Sequence, residues 1–443
     1  MTKARDLSDL LDATGDVVST ALDNVPPSDN ASSLTTGTLP VARLADGSIT
    51  NAKLGNDAKV VKSATAPANP VEGDLWYDTA NETLKIYQSS ISDFIKVSAI
   101  TPVLNSISEN IYNGIAGNLT LNGTGFLTSN LIVSFTPSGG SASTVTVTPT
   151  SDTSATVAVP SAIYNQAGST VIEINVTNSD NKSSANISKT VIALPTGGTI
   201  SSSGGYRYHT FTSSSDFVVP SGFSATADYL LVAGGGSGGG YYYSGGGGAG
   251  GAIDTTVSLT ANTYPIVIGA GGAGTYTSVG NNGVNSTAFS NTAIGGGYGG
   301  HIDNYAQSGG SGGGSDGYGS RPGSGTAGQG NDGGNGGTYG GGGGGGKSSA
   351  GSNASGNSGG NGGSGIDWKS LGNFYAGGGG GGGSSSGGAG GSSVGGAGAT
   401  NGGIGGAGST NTGSGGGGTG NNIPGAGRGG NGGSGILIVR YQI

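Results

Sequence analysis

Few side chains in this sequence could do chemistry, and they are scattered. There are two histidines, His209 and His301, and no cysteine. Thiolate metal sites and disulfide staples are therefore excluded, and little is left for acid–base work or a metal. Within residues 234–435 the carboxylates are Asp254, Asp303, Asp316, Asp332 and Asp367. Glycoside cleavage needs two carboxyl groups set across one rigid groove, and no spacing among these five favours a pair. The expectation is a protein that is not an enzyme, with no catalytic residue, no metal and no cofactor.

Two stretches imitate nucleotide-binding motifs. Gly234 to Gly239 fits G-x-G-x-x-G, and Gly341 to Gly346 followed by Lys347-Ser348 fits the phosphate-loop pattern letter for letter. Both patterns work only where the loop opens a helix whose N-terminus faces phosphate. Tyr241-Tyr242-Tyr243-Ser244-Gly245 and Ser349-Ala350-Gly351-Ser352-Asn353 begin no such helix. In so glycine-rich a chain, chance matches are expected.

Aromatic clusters are the remaining candidates. They are Tyr241-Tyr242-Tyr243, Tyr276, Tyr298 with His301 and Tyr305, Tyr318, Tyr339, and Trp368 with Phe374-Tyr375, set among Ser, Asn, Thr and Ala. Aromatic faces beside amides and hydroxyls suit sugar rings, and Tyr/Ser/Gly/Asn mixtures also make adaptable protein-binding loops. The competing role is to fill gaps over a core that has no apolar side chains of its own. Three adjacent tyrosines cannot all point inward, so Tyr241, Tyr242 and Tyr243 lead the candidate receptor contacts. Tyr298, His301 and Tyr305 follow, because they flank Asp303 and Asn304; Tyr318 and Tyr339 complete the set. Trp368 and Phe374 read as packing residues.

These aromatics sit in an unusual matrix. Of 443 residues 102 are glycine, 85 of them between Gly234 and Gly435, with unbroken runs at Gly340–Gly346 and Gly377–Gly383. Freezing a residue costs about 1–2 kcal/mol of backbone entropy, glycine most of all, and a hydrogen bond returns roughly 1 kcal/mol. A lone glycine rod therefore loses to disorder. A bundle of polyproline-II-like rods breaks even, because bare backbones approach closely and bond sideways in several directions. What favours the bundle over a flexible brush is the frame around it. Strand-like segments Tyr208–Phe211, Phe217–Val219, Tyr229–Val232, Val257–Leu259 and Tyr264–Ile268 precede the tract, and Ile436–Tyr441 follows it. An unpaired strand of that composition is an aggregation hazard, so it must return to pair with the earlier strands.

The first half reads as ordinary β-rich sequence with an unusual start. Leu7, Leu10, Leu11, Val17, Val18 and Leu22 fall near helical spacing over residues 1–25, up to Pro26-Pro27. Over residues 26–66, Leu34, Leu39, Leu44, Ile49 and Leu54 recur every five residues. That spacing fits neither a helix face nor a flat strand, and one such segment cannot bury its leucines alone. It is either an intertwined shaft of several chains or a flexible linker. Leu7, Leu11, Leu34, Leu39, Leu44, Ile49 and Leu54 are the candidate oligomerisation residues. Residues 67–98 read as a small meander of three strands, and residues 99–194 as a β-sandwich with turn signals at regular spacing.

Several of these motifs resemble bacteriophage tail-fibre proteins. Gly73-Asp74-Leu75-Trp76-Tyr77-Asp78-Thr79 resembles a small module repeated in such fibres, and Leu39-Pro40-Val41-Ala42-Arg43-Leu44 resembles their shafts. Ala4-Arg5-Asp6-Leu7 through Asp12-Ala13 resembles fibre N-termini of marine cyanophages. Leu119-Thr120-Leu121-Asn122-Gly123-Thr124-Gly125-Phe126 resembles an immunoglobulin-like domain of the IPT/TIG type, a group of spacers. Tyr229 to Gly236, Ile268 to Gly272 and Asn431 to Ile436 resemble a glycine-rich domain at the ends of phage fibres, covering residues 205–443. Adhesins of some T-even-like phages also carry loops on polyglycine helices, although this chain does not match their length.

The resemblance implies a mostly β, elongated, homotrimeric fibre. Its N-terminal segment would plug into a tail tube or adaptor protein. Its distal tip would bind a host cell-surface glycan or outer-membrane protein. The protein would be assembled in the host cytoplasm and reside in the virion tail. The alternative is a structural capsid or neck fibre, or a virion decoration protein, without a dedicated receptor site. A net charge of −8 gives no basic stripe for nucleic acid. No apolar run approaches the roughly 20 residues of a membrane span, and Met1 to Asp12 lacks the apolar stretch of a secretory signal.

Overall fold

The computed structural model describes residues 60–96, 100–127, 129–276, 279–302, 305–319, 321–400, 402–420 and 427–443. The expected N-terminal helix lies outside them, as do Leu7, Leu11, Leu34, Leu39, Leu44, Ile49 and Leu54. The chain divides into two units, residues 1–100 and 101–443, and strands dominate both.

In the first unit the expected three-stranded meander gains a fourth strand. Val60–Ser63, from the end of the five-residue repeat segment, pairs parallel with Leu75–Asp78. Thr83–Gln88 and Asp93–Lys96 then follow antiparallel. Trp76 is buried edge-on against Phe94, with ring centroids 5.2 Å apart. Lys85 lies 4.4 Å over the Trp76 ring and 2.8 Å from Asp78 Oδ2. Bonds from Lys85 and then Asn81 hold the buried Asp78 carboxyl at about 2.

The second unit opens with a sandwich. Ser154–Ala158, Asn118–Thr124 and Val103–Ile107 form one sheet; Ile111–Tyr112, Ile187–Ile192, Val171–Thr177, Leu131–Pro137 and Ser143–Val147 form the other. Strict inward–outward alternation along Leu131–Pro137 and Val171–Thr177 buries Leu119, Leu121, Val133, Phe135, Ile172 and Ile174 between the sheets.

A five-stranded antiparallel sheet follows, in the order Thr199–Ser203, Tyr206–Phe211, Ile436–Gln442, Ala225–Val232, Ala252–Leu259. The C-terminal strand lies at its centre. The first strand falls in the short gap between the sandwich and the stretch from 205 onward, so the frame starts earlier than the glycine-rich resemblance suggests. Both faces of the sheet are covered, which explains the nearly unbroken apolar runs of its middle strands. On one face Tyr229, Leu231, Leu437, Val439 and Tyr441 pack with Phe217 and Phe223, and with Tyr112, Ile115, Ile192 and Leu194 beside the sandwich. On the other face Leu230, Val232, Ile436 and Ile438 are capped by Trp368. Trp368 is 1% exposed and donates from Nε1 to Asp254 Oδ1 at 2.8 Å. Phe374, expected to pack beside it, is 41% exposed. The short pairing of Asp367 with Phe374 turns its ring outward.

In the glycine-rich segments between Ala233 and Gly435 the backbone bonds to itself in a three-residue cycle. From Gly341 to Gly346, successive amides donate to the carbonyls of Gly382, Ser315, Ser352, Gly379, Gly312 and Ser349, at 2.8–3.0 Å. Each third residue returns to the same neighbour, three positions earlier in it. All glycines of both seven-residue runs are buried, and none has a left-handed φ. A Cβ placed on Gly343 would collide with the carbonyl oxygen of Asn361, and one on Gly380 with that of Gly388. Glycine is required here by the closeness of neighbouring backbones.

Candidate functional site

Segment Gly234–Gly240 runs out of the frame strand Ala225–Val232, and Ser244–Ala252 runs back beside it. Gly236 N bonds to Gly248 O, and Gly239 N to Gly245 O. Tyr241, Tyr242 and Tyr243 make the turn between them, with φ of 73°, 49° and 38°. Left-handed backbone costs a residue with a Cβ roughly 1–2 kcal/mol, and glycine would relieve it. Glycine is everywhere around this turn, yet the turn is built of tyrosine.

Other aromatics arrive at the same end of the lattice. His301 follows Gly299-Gly300, Tyr318 follows Gly317, and Tyr339 precedes Gly340. Gly245 N to Gly300 O, Gly246 N to Gly342 O and Gly317 N to Tyr243 O tie those segments together. The rings form a continuous ridge. Tyr241 lies 5.8 Å from His301 and 4.0 Å from Tyr242, centroid to centroid. Tyr242 reaches Tyr318 at 6.5 Å, and Tyr318 reaches Tyr243 at 6.4 Å and Tyr339 at 6.0 Å. Tyr243 is the buried root at 5% exposure, while Tyr318 at 55% and Tyr339 at 42% form the crest. Hydrogen bonding with Tyr242, and then burial, push the Tyr241 phenol up to about 12. Burial, helped by the neighbouring tyrosines, also raises Tyr318.

His301 is 7% exposed, and its Nδ1 lies 2.9 Å from the Ile302 carbonyl. The expected grouping of Tyr298, His301 and Tyr305 is not assembled by ring contact. His301 stacks toward Tyr241 instead. Tyr298 is half-buried with its amide on Asn282 Oδ1. Tyr305, 60% exposed, lies under the guanidinium of Arg321 at 4.2 Å. Asp303 and Asn304 lie outside the described residues.

The nucleotide-like glycines have no free amides to offer phosphate. Gly234 to Gly239 and Gly341 to Gly346 all donate to neighbouring segments, and Lys347 Nζ bonds to Gly328 O at 2.6 Å. The carboxylates are also engaged. Asp254 accepts from Trp368, Asp332 from the Gly325 amide and Asp367 from the Gly372 amide. Among the described residues, no three His, Asp or Glu are grouped to hold a metal ion. No helix there is long and apolar enough to cross a membrane.

One feature had no counterpart in the sequence-based expectations. A cavity of about 370 Å³ opens between Asn262–Pro265 and Thr287–Thr292. The available signal was the pair Phe289-Ser290 at the tip of a tight hairpin, both at left-handed φ. Phe289 folds back onto Tyr229 and Tyr264, at 5.0 and 5.2 Å, as part of the frame core.

Comparison with known proteins adds one result. A glycine-rich domain family matches residues 209–442, from within the second frame strand to the end of the C-terminal one, ridge included. No curated protein and no solved structure matches the chain. With more than half of its length matched, the chain belongs to the glycine-rich domain family.

Proposed function

We propose that this protein is a homotrimeric phage tail fibre that attaches the virion to its host, with the tyrosine ridge as the distal contact surface. The observation that carries this reading is the turn at Tyr241–Tyr243. Three adjacent tyrosines occupy strained backbone at the far end of the segment that leaves the frame, where glycine would be more stable. Strain that persists against an available remedy points to use. The lattice supplies the rigid mount. Its three-residue bonding cycle fits polyproline-II-like rods, in which seven residues would span about 22 Å. Residues 1–66 supply trimerisation and the joint to the tail. Three copies of a weak site, on several fibres, give firm attachment.

Binding of the purified full-length chain to a panel of cyanobacterial strains tests the contact surface. Tyr→Ala changes at Tyr241, Tyr242 and Tyr243 together should abolish binding that the unaltered chain shows. Binding that survives the triple change overturns the ridge as the contact surface, and absence of binding to any strain favours a structural fibre. Light scattering should give three times the 42.0 kDa chain mass.

A further inference from the structure

His301 carries a polar atom with nothing to do. Its Nδ1 lies 2.9 Å from the Ile302 carbonyl, an acceptor, so Nδ1 bears the ring proton. Nε2 is then a bare lone pair. It is buried and, among the described residues, has no hydrogen-bond partner, on a side chain that is 7% exposed. Such an orphan is unusual in a folded protein and calls for a reason. The half-buried ring of Tyr241 lies over the imidazole at 5.8 Å and a 33° tilt. From the ridge, the Tyr241 ring is what a ligand would have to turn aside to approach Nε2.

The chemistry of the surroundings selects the ligand. Nε2 needs a donor, and the ridge beside it offers aromatic faces. Among the described residues no lysine or arginine stacks on Tyr241, Tyr242, Tyr243, Tyr318 or Tyr339; the aromatic-stacked cations lie elsewhere, as with Arg321 on Tyr305 and Arg428 on Tyr276. The ridge's rings thus hold no stacked cation that could pair with an anionic ligand. An extended peptide that docks by strand pairing needs free backbone groups, and the amides of Gly236, Gly239, Gly245, Gly300 and Gly317 at this end are spent on neighbouring segments. A neutral sugar ring meets both conditions, with an apolar C–H face for the tyrosines and hydroxyl donors for the nitrogen.

We infer that the ridge binds a neutral saccharide, stacked on Tyr241 and Tyr242 and donating one hydroxyl to Nε2 of His301, an inference that rests on the ridge being the recognition surface. The test uses the full-length chain labelled with ¹⁵N in its imidazoles. With two histidines the spectrum is simple, and His209 is an internal control because Gly197 O and Tyr441 Oη already engage both its nitrogens. The methyl glycosides of glucose, galactose and N-acetylglucosamine are added in turn at about 20 mM, enough to fill a millimolar site. At least one should move the His301 Nε2 resonance while His209 stays still. His301→Phe, which keeps a ring and removes the acceptor, should weaken that glycoside about fivefold, as expected for one neutral hydrogen bond. Should that variant fail to fold, Tyr241→Ala decides instead: it uncovers Nε2 and removes the stacking face, so the glycoside must still move Nε2 but bind more weakly. If no glycoside moves His301, the saccharide inference is overturned. If the fibre nevertheless binds cells, and periodate treatment of those cells leaves binding intact, the attachment reading stands with a protein as its receptor. If the fibre binds no cell, the attachment reading itself fails.

Discussion

In the sandwich, Leu119, Leu121, Val133, Phe135, Ile172 and Ile174 are withdrawn from water, and each contributes about 1.5–3 kcal/mol by doing so. In the glycine lattice the buried runs Gly340–Gly346 and Gly377–Gly383 have no side chains, and what packs against them is mostly backbone. There each residue costs about 1–2 kcal/mol to freeze and regains roughly 1 kcal/mol from its hydrogen bond, so no stretch of lattice is stable by itself. It holds because the bonds run to three neighbours at once and because the frame pins both ends of the tract. A side-chain core tolerates small losses of volume at a graded cost. A backbone core has no volume to lose and no room to gain.

The largest expected effect breaks the lattice. Gly343→Val or Gly380→Val places side-chain atoms on the carbonyls of Asn361 or Gly388 and should cost on the order of 4 kcal/mol or more, read as loss of the cooperative melt. In the sandwich, Leu121→Ala should cost about 3 kcal/mol. Gly117→Ala, whose Cβ would meet nothing within 4 Å, should change stability by less than about 1 kcal/mol. Amides of Gly341–Gly346 should exchange as slowly as those of Ile436–Gln442. Random-coil exchange there would mean that the lattice is not a core.

A smaller effect tests the frame. His209 is fully buried, stacked on Tyr441 and edge-on to Phe217. Burial holds its pKa below the ordinary 6.5, opposed in part by the bond to Gly197 O. The unfolded chain therefore takes up a proton that the folded chain resists. The stability due to neutral His209 is complete above about pH 6.5 and drains as the pH falls below it, by up to about 1.4 kcal/mol per pH unit. Denaturant midpoints between pH 8 and pH 5 should show this slope, and His209→Gln should flatten it.

The smallest effect separates use from stability. Tyr242→Gly relieves a residue held at φ 49° and should raise stability by about 1 kcal/mol while weakening attachment. A variant that is less stable would mean that the tyrosine turn is held by packing, and the case for a strained contact surface would fall.

Much of the sandwich and the frame was legible because their strands speak in two registers. Alternation marks Leu131–Pro137, and an unbroken apolar run marks Tyr229, Leu230, Leu231 and Val232, where both faces are covered. Thr199–Ser203 gave no such signal, because every residue of that edge strand is exposed. Val60–Ser63 was hidden likewise, since a parallel partner across residues 64–74 leaves no hairpin signature. For the ridge, the residue types were readable, since each member adjoins a glycine segment. The grouping was not. Which segments lie side by side is set by lattice bonds between positions far apart in sequence, so His301 could be paired with Tyr298 and Tyr305 on proximity alone, whereas the fold brings it to Tyr241.

The three-residue bonding cycle also constrains how the sequence can change in length. Adding one residue inside a glycine run would turn every later amide by a third of a revolution, aiming each at the wrong neighbour. Adding three would restore the direction and shift the run by one full turn. Within the lattice, insertions and deletions are therefore tolerable only in threes, whereas the turns between runs are free of that arithmetic. The molecule thus separates a part that can be lengthened at will from a part that can be edited only in whole turns, and Tyr241, Tyr242 and Tyr243 sit on the unrestricted side of that division.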